Sequence, residues 1–303
     1  MAFSAGLGNE EEKSVIEEDI FLMKILVTGA GGQLGYDVCR ELDRRGIEHK
    51  GIDRTDLDIC DKQAVEAYLL AYAPEAVIHC AAYTAVDKAE EEPDVCLAVN
   101  AGGTQNLAEV CKQLGAKLLY ISTDYVFDGL GEQFYAVDAM AEPVNIYGKS
   151  KLAGELAVKS ILEKYFIVRT SWMFGGRGNN FVRTMLRLAE TQAEVGVVAD
   201  QVGSPTYTVD LAKLLVDMIQ TDKYGVYHAA NEGVCSRAEF AKEIFKQADR
   251  YVKVKHLATA EYPTKARRPL NSRLALDSLR EAGFAGLPAW RDALARFIEE
   301  MEQ

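Results

Sequence analysis

The chain has 303 residues, of which 49% are hydrophobic and 26% are charged, and its formal net charge is −12 at pH 7. This composition is typical of a globular protein with an ample core. The acidic balance, with no basic stripe, argues against nucleic acid as a partner. An anionic ligand would need local hydrogen-bond donors, because the overall field of the chain does not attract it.

Cysteine, histidine and hydropathy patterns argue against several further classes. The six cysteines form no C-x-x-C pair and most lie in apolar stretches, which favours reduced, buried thiols in a cytoplasmic protein. The four histidines lack metal-ligand spacing, so we expect no metal site. No apolar run is long enough to span a membrane, and residues 1–22 do not resemble a signal peptide. We expect residues 1–22 to form a flexible or partly helical extension.

The first half of the chain alternates strand-like runs with segments of helical periodicity. The runs that predict buried strands are 24–28, 49–53, 76–81, 117–122 and 165–170. The segments that predict helices are 33–45, 61–72, 94–114 and the one that carries Tyr147 and continues to residue 162. Such alternation is typical of a parallel sheet covered on both faces. The predicted fold class is therefore α/β, with a Rossmann-type doubly wound parallel sheet.

Beyond residue 170 the pattern loosens into a smaller α+β unit. The predicted helices are 181–190, 208–220 and 236–247, and the predicted strands are 195–199, 225–230 and 252–257. Ser236 followed by Glu239 predicts a capping box. We expect a sheet domain at 23–170, to which 205–231 returns, and an interleaved substrate-binding domain formed by 171–204 and 232–303.

A glycine-rich turn joins the first predicted strand to the first predicted helix. It reads GAGGQLG, with the G-x-x-G-x-x-G spacing at Gly29, Gly32 and Gly35. Such glycines let the chain turn sharply and let a pyrophosphate approach the amides at a helix N-terminus. The flanking strand and helix make this a strong indication of dinucleotide binding. We expect these glycines, with Gln33 and Leu34, to bind NADPH or NADH, which makes 23–170 an NAD(P)-binding domain.

Further cofactor contacts are predicted at the ends of the next strands. Asp53 is placed to accept from the adenosine ribose, whereas Arg54 could instead meet a 2′-phosphate, so the pair does not decide between NADH and NADPH. Asp58 and Ile59 either border the adenine or form a simple loop pair. The segment expected to lie along the cofactor after residue 80 is Ala81, Ala82 and Tyr83.

Tyr147 and Lys151 lie four residues apart, so they share one face of a helix. A phenol beside an ammonium can move a proton near neutral pH, because the lysine charge lowers the pKa of the tyrosine from about 10. An upstream hydroxyl, Thr123 or Ser122, would hold a carbonyl group in place. Only one of these two faces the cofactor, since side chains alternate along a strand. With the dinucleotide as hydride source, the pattern predicts carbonyl reduction.

This combination of glycine loop, Tyr-x-x-x-Lys and upstream hydroxyl is similar to the extended, nucleotide-sugar branch of the short-chain dehydrogenase/reductase superfamily. A closer resemblance, to the dTDP-4-dehydrorhamnose reductase family, covers residues 23 to about 273. It rests on TGAGGQLG, DLDI, CAAYTAVDKAE, STDYVFDG, YGKSKLAGE, RTSWMFG, NNFV, DQVGSPT and ARRPLNSRL, in this order. The resemblance implies NAD(P)H-dependent reduction of the C4 ketone of dTDP-4-dehydro-L-rhamnose to dTDP-L-rhamnose, a precursor of bacterial surface polysaccharide.

The resemblance also implies residue roles. Thr123, rather than Ser122, would hydrogen-bond the substrate carbonyl, and Tyr147 would donate the proton. Lys151 would bind the nicotinamide ribose and lower the pKa of the tyrosine. Asn180 resembles the family's contact near the nucleotide phosphates.

Other substrate contacts are expected from residue chemistry. Tyr125 follows Thr123 by two positions and would reach the sugar, and Trp172 offers either an aromatic face to the sugar ring or a core contact. We expect residues 201–206 to line the nucleotide pocket. Arginine forks match phosphate oxygens, and Arg268 is the preferred candidate for the diphosphate. The remaining arginine candidates are Arg177, Arg183, Arg187 and Arg267.

Two alternatives remain open at the level of sequence. One is another nucleotide-sugar epimerase, reductase or dehydratase of the extended family, although Tyr125 in place of Glu disfavours a dehydratase. The other is a non-catalytic, NADP-binding regulatory subunit of methionine adenosyltransferase, which a related protein forms. Some family members are metal-bridged dimers, but the bridging positions have no identified counterparts in this sequence, which leaves a monomer and a homodimer both open.

Overall fold

The computed structural model describes residues 23–302, and the predicted extension at 1–22 lies outside that range. The strands of the first half are β1 (Ile25–Thr28), β2 (His49–Ile52), β3 (Ala76–His79), β4 (Lys117–Thr123) and β5 (Tyr165–Thr170). The later strands are β6 (Met173–Phe174), β7 (Glu194–Val198), β8 (Val202–Gly203), β9 (Thr206–Tyr207), β10 (Gly225–His228), β11 (Asn231–Glu232), β12 (Cys235–Ser236), β13 (Lys253–Leu257), β14 (Asn271–Ser272) and β15 (Leu287–Ala289).

Helices connect most of these strands. Those of the first half are α1 (Gln33–Arg45), α2 (Lys62–Tyr72), α3 (Val86–Ala89), α4 (Pro93–Leu97), α5 (Thr104–Leu114) and α6 (Ile146–Ile161). Those of the second half are α7 (Phe181–Ala189), α8 (Thr208–Ile219), α9 (Arg237–Gln247), α10 (Asp277–Glu281) and α11 (Trp290–Glu302). Within the described residues, none of them combines the length and apolar character needed to cross a bilayer.

A parallel sheet of six strands, in the order β10-β5-β4-β3-β1-β2, forms the centre of the molecule. Every neighbouring pair is parallel, which confirms the predicted α/β class and the doubly wound sheet. β10 comes from the second half of the chain and pairs with β5, residue Gly225 against Phe166. The carboxyl ends of β1, β3 and β4 meet at one edge of the sheet, where α/β folds bind their ligands.

The two faces of the sheet are buried by different helices, because strand side chains alternate between them. On one face, β1, β4 and β5 residues such as Val27, Leu119 and Val168 pack with α1 and α8. On the other face, Leu26 and Leu118 pack with α2, α5 and α6. Each fully buried side chain of this kind contributes roughly 1.5–3 kcal/mol relative to exposure. The catalytic candidates on β4 and α6 therefore stand on a rigid platform.

The helix predicted over 94–114 is wrong in detail. The single long helix expected over 94–114 is broken into α4, a π-helical turn at Ala98–Gly103, and α5. An extra residue in a helical turn widens it and redirects the side chains that follow, and such turns are frequent at functional sites. The turn contains Asn100, which is buried and contacts the candidate active site.

The second half forms its own small core beside the sheet. Phe174, Val182, Phe240, Trp290 and Phe297 pack there, drawn from β6, α7, α9 and α11. The predicted capping box is present at the start of α9, where Ser236 and Glu239 exchange hydrogen bonds. The segment 201–206, which was expected to line the nucleotide pocket, contains the short strand β8 and the first residue of β9. β8 pairs in parallel with β14 and antiparallel with β12.

Candidate active site

The loop between β1 and α1 has the geometry of a phosphate cradle. Gly29 has a φ of +69°, and a Cβ added there would lie 2.7 Å from the backbone nitrogen of Ala81. A Cβ on Gly35 would lie 2.1 Å from the carbonyl oxygen of Gly29, so glycine is needed for α1 to pack this closely. Gly32 is the N-cap of α1 and has no side chain, which leaves the first amides of the helix for an anion.

Two adjoining cavities follow the carboxyl ends of the central strands. One has a volume of about 180 Å³ and lies between β1, β2 and the segment after β3. The other has a volume of about 290 Å³ and extends from the glycine loop to α6. The predicted cofactor residues that line one or both cavities are Gly29, Gly32, Gln33, Leu34, Gly35, Asp53, Arg54, Asp58, Ile59, Ala81, Ala82, Tyr83, Tyr147 and Lys151.

The residues of these cavities fit a dinucleotide. The Asp53 carboxylate accepts from the Gly31 amide at 3.0 Å, which holds it beside the glycine loop with its other oxygen available to a ribose hydroxyl. The Arg54 guanidinium is exposed, 3.9 Å from Asp58, and would meet a 2′-phosphate. A methyl group added to Gly35 would collide with the glycine loop at Gly29, and one added to Gly29 would collide with the backbone of Ala81. Diphosphate, ribose and nicotinamide would then lie in sequence along the groove towards Lys151.

Tyr147 and Lys151 are held in place by the way α6 begins. Asn145 caps the helix by accepting from the Gly148 amide at 2.8 Å. Tyr147 falls in the first turn and Lys151 one turn later, and both face the larger cofactor cavity. The Lys151 ammonium lies 4.1 Å from the centre of the Tyr120 ring, a cation–π contact. The Tyr147 ring meets the Tyr125 ring edge to face, with 5.5 Å between centres.

Thr123 ends β4 and begins a short hydrogen-bonded chain. Its hydroxyl donates to the Asp124 carboxylate at 3.0 Å and accepts from the Tyr125 amide at 3.2 Å. The other carboxylate oxygen of Asp124 accepts from Ser272 at 2.5 Å. Ser272 belongs to β14, so a residue of the second half of the chain supports the end of β4. The hydrogen bond between Ser272 and Asp124 could not be predicted from the residues around either position.

Ser122 points to a different set of partners. Its hydroxyl donates to Glu155 at 2.5 Å, and Glu155 also receives both prongs of the Arg169 guanidinium at 2.7 and 2.8 Å. Glu155 and Arg169 are almost fully buried. The Ser122 hydroxyl is thus bonded to this buried ion pair, although Ser122 also lines the larger cofactor cavity, whereas Thr123 bonds Asp124 and does not line that cavity.

The protonation states differ from those expected from the sequence. Burial raises the pKa of Tyr147 and the nearby Asp124 carboxylate adds to the effect, whereas a hydrogen bond with Thr123 acts in the opposite direction. Burial also lowers the pKa of Lys151 to about 7, with Glu155 opposing the change. The expected lowering of the tyrosine pKa is therefore reversed, and Tyr147 is a phenol at neutral pH. A phenol, not a phenolate, is the form that can give a proton.

Sequence reasoning missed Asn100. Its side-chain amide donates to Ser150 at 2.9 Å and to the Tyr83 carbonyl at 3.0 Å, and its oxygen accepts from the Tyr83 amide at 2.8 Å. Ser150 precedes Lys151, so Asn100 ties the catalytic helix to the cofactor segment after β3. Asn100 lies in the π-helical turn, and no periodicity argument reveals such a turn.

A second pocket, of about 500 Å³, lies between the two halves of the chain. Trp172 and Arg268, which the sequence suggested as substrate residues, line it together with Gln201, the first residue of the segment 201–206. Trp172 has a φ of +48°, a left-handed conformation that is uncommon for a bulky residue. Met173, the next residue, lines both this pocket and the larger cofactor cavity, so the two spaces meet there.

Other predicted substrate residues have structural partners. Asn180 caps α7 by accepting from the Arg183 amide and donates to Gln33 at 3.0 Å, which places it nearer the glycine loop than the second pocket. Tyr125 packs on Tyr147. Among the further arginines, Arg183 donates to the Gly176 carbonyl, Arg177 stacks on Tyr36, Arg187 is exposed and Arg267 lines a separate groove.

Arg237 also lines the second pocket, and the sequence did not single it out. It is the first residue of α9, and its guanidinium stacks on the Trp172 ring with 3.7 Å to the ring centre. Burial lowers its pKa to about 10, with Tyr125 and Asp124 opposing the change. The stack brings together residues 65 positions apart, so only the folded chain shows it.

Comparison with known proteins agrees with this geometry. Residues 23–303 match the family model described as the RmlD substrate binding domain. The chain is 41% identical to the spore coat polysaccharide biosynthesis protein SpsK of Bacillus subtilis over 92% of this chain and 98% of that one. It is 40% identical to the dTDP-4-dehydrorhamnose reductase of Sinorhizobium fredii over 91% of this chain and 97% of that one.

The fold of a solved relative extends the agreement to three dimensions. The crystal structure of the Bacillus anthracis dTDP-4-dehydrorhamnose reductase in complex with NADP superposes with a TM-score of 0.90. It is 45% identical and covers 92% of this chain and 99% of that one. The sequence resemblance is thus confirmed over the whole of the described structure. The chain belongs to the dTDP-4-dehydrorhamnose reductase family.

Proposed function

We propose that this chain is an NAD(P)H-dependent oxidoreductase that reduces the C4 ketone of dTDP-4-dehydro-L-rhamnose to give dTDP-L-rhamnose. The single observation that carries the proposal is the junction at Met173, where the cavity containing the glycine loop, Tyr147 and Lys151 meets the pocket lined by Trp172. A ketone at that junction lies between a cofactor groove and a proton donor. The names of the relatives supply the sugar nucleotide.

The proposed cofactor is NADPH or NADH. A bound reduced nicotinamide would supply a hydride to the ketone carbon. The NADP in the Bacillus anthracis relative supports the phosphorylated form, and the exposed Arg54 offers a cationic partner for its 2′-phosphate. Asp53 offers a hydrogen-bond acceptor to the unphosphorylated ribose. Both forms therefore have a partner in this groove.

Two side chains, Thr123 and Tyr147, would interact with the ketone oxygen of the substrate. Thr123 donates a hydrogen bond to the ketone oxygen once it turns from Asp124. Tyr147 gives its phenolic proton to the oxygen as negative charge develops there. Its raised pKa keeps the proton in place until that moment. Positioned proton transfer of this kind is typically worth about a hundredfold to ten-thousandfold in rate.

Lys151 would serve the cofactor and the tyrosine together. Its ammonium faces the groove beside Tyr147 and hydrogen-bonds a nicotinamide ribose placed there. A positive charge at that point stabilises the tyrosinate that remains after proton transfer. Asn100, through Ser150 and Tyr83, keeps α6 and the cofactor segment in register.

The experiment is to mix the purified full-length chain with NADPH or NADH and dTDP-4-dehydro-L-rhamnose and to follow the loss of nicotinamide absorbance. We expect oxidation that depends on both substrates, and dTDP-L-rhamnose as the product by mass and NMR spectroscopy. Oxidation of neither cofactor with authentic keto sugar would overturn the proposal. Conversion without net cofactor use would indicate an epimerase, and cofactor binding without turnover would indicate a regulatory subunit.

A further inference from the structure

Two arginines line the pocket that contains Trp172, and they differ in their ion pairing. Arg268 forms a two-pronged ion pair with Asp87, at 2.6 and 3.0 Å. Arg237 faces the same pocket, and no carboxylate of residues 23–302 forms an ion pair with it within 4.0 Å. The pocket therefore contains one neutralised cation and one cation whose charge is available to a ligand.

Arg237 is held in a fixed orientation although it has no ion-pair partner. Its guanidinium carbon lies 3.7 Å from the centre of the Trp172 ring and 5.2 Å from the centre of the Phe181 ring. Its backbone amide donates to the Gln201 carbonyl at 3.1 Å, which fixes the start of α9 against the pocket wall. A stacked guanidinium keeps its N–H groups in the plane of the fork, pointing away from the ring edge. The fork is therefore pre-organised for an anion with several oxygens.

Arg268 takes part in contacts that stabilise the wall of the pocket. Asp87 accepts from the Ala266 amide at 3.0 Å as well as from the guanidinium, so α3 is clasped to the loop that carries Arg268. Asn145 adds a second clasp, donating to the Arg267 carbonyl at 2.8 Å. Because Asp87 balances its charge, Arg268 offers a ligand less net attraction than Arg237 does.

We infer that Arg237 is the residue that binds the diphosphate group of the nucleotide sugar, and that Arg268 mainly fixes the wall of the pocket. The inference rests on the proposed function for the identity of the ligand. It revises the expectation from sequence, which favoured Arg268. The position also suits the reaction, since Arg237 stacks on Trp172, and the next residue, Met173, lines both this pocket and the larger cofactor cavity. A diphosphate bound there would sit between the keto sugar and the rest of the nucleotide.

The test compares two ligands that differ only in the diphosphate, dTDP and thymidine, by calorimetric titration of the full-length chain. For Arg237→Met we expect a loss of dTDP affinity of roughly 10- to 100-fold, with a much smaller change for thymidine. Arg237→Lys keeps the charge but loses the fork, so its dTDP affinity should lie between those of the wild type and the Met variant. Arg268→Met should weaken dTDP binding less than Arg237→Met does.

Arg291→Met is the matched control, because Arg291 stacks on the other tryptophan, Trp290, at 4.3 Å and lies outside the pocket. It should leave both affinities unchanged. Equal losses for dTDP and thymidine in Arg237→Met, or no loss in either Arg237 variant, would overturn the inference. A larger loss of dTDP affinity in Arg268→Met than in Arg237→Met would also overturn the inference. If the inference on Arg237 failed while the wild-type chain still reduced the keto sugar, the proposed function would be retained. If the wild-type chain bound dTDP but did not reduce the keto sugar, the proposed function would fail and the inference on diphosphate binding would be retained.

Discussion

The Ser272 hydroxyl donates to Asp124 at 2.5 Å, and through it the second half of the chain supports the end of β4. Asp124 is almost fully buried, and burial raises its pKa, while hydrogen bonds from Ser272 and Thr123 lower it. A buried carboxylate with two hydroxyl donors is held in one orientation. The position of the Thr123 hydroxyl therefore depends on a residue almost 150 positions away.

Ser272→Ala should reduce turnover more than it reduces cofactor affinity. The change leaves one oxygen of Asp124 without its donor, at a cost of about 1–3 kcal/mol in unfolding free energy. Asp124 and Thr123 then lose their fixed orientation, and we expect kcat to fall roughly tenfold. Steady-state kinetics and urea unfolding measure the two effects.

The control for this change is Ser278→Ala. The Ser278 hydroxyl is buried and has no hydrogen-bond partner among the described residues, so its loss should cost little in stability or rate. A Ser272→Ala variant with the kinetics of the Ser278→Ala variant would contradict the positioning role.

Tyr147→Phe should retain the fold and cofactor binding and lose turnover by about a hundredfold to ten-thousandfold, because the phenolic proton is gone. Cofactor affinity is measured by quenching of protein fluorescence, and turnover by nicotinamide absorbance. Tyr68→Phe in α2 is the matched control. Retention of more than a tenth of wild-type turnover in Tyr147→Phe would exclude Tyr147 as the proton donor.

Cofactor binding should become weaker as the pH rises above 7. Burial lowers the pKa of Lys151 to about 7, and an anionic dinucleotide alongside favours the ammonium, so binding raises that pKa. Affinity is then greatest below pH 7 and falls by up to tenfold per pH unit until the pKa of the bound form is reached. At pH 8 binding should take up a proton, which calorimetry in two buffers of different ionisation enthalpy detects.

Lys151→Met should abolish this proton uptake, whereas Lys159→Met should preserve it. Lys159 lies on the same helix, 3.8 Å from Glu155, with about a third of its side chain exposed. If cofactor binding to Lys151→Met still took up a proton at pH 8, a group other than Lys151 would be the one that is protonated.

Gly154→Ala should move the helix that carries Tyr147 and Lys151. A Cβ at residue 154 would lie 2.4 Å from the Tyr120 hydroxyl and 2.6 Å from the Asn100 carbonyl oxygen, both of them buried. Overpacking of this kind typically costs about 1–3 kcal/mol, and we expect a comparable loss in catalytic efficiency. The control is Gly102→Ala, where an added methyl group meets no atom within 4 Å. Equal stability and kinetics in the two variants would refute the prediction.

Features that depend only on neighbouring residues in the chain could be predicted from the sequence. The glycine loop lies between one strand and one helix, and Tyr147 and Lys151 lie on one helical turn, so local periodicity was enough to place them beside the same cavity. The capping box at Ser236 was equally local. The alternation of strands and helices gave the parallel sheet.

Features that depend on contacts between distant residues could not be predicted. The π-helical turn interrupts a segment whose apolar spacing fits one continuous helix, and Asn100 has a role only because Tyr83 and Ser150 pack against it. Arg237 follows a helix cap and looks like a surface residue until Trp172 folds beneath it. The pKa of Tyr147 is raised where the sequence suggested a lowering, because burial and the Asp124 charge outweigh the hydrogen bond with Thr123.

The pairing of β10 with β5 limits how the chain can be divided. A fragment that ends after residue 170 would contain the glycine loop and the catalytic helix, yet it would expose the full hydrogen-bonding edge of Tyr165–Thr170. Unpaired strand edges promote aggregation, and β10 can protect this one only after more than fifty further residues have been synthesised. The sheet that carries the glycine loop is therefore completed only when residues 225–228 join its edge.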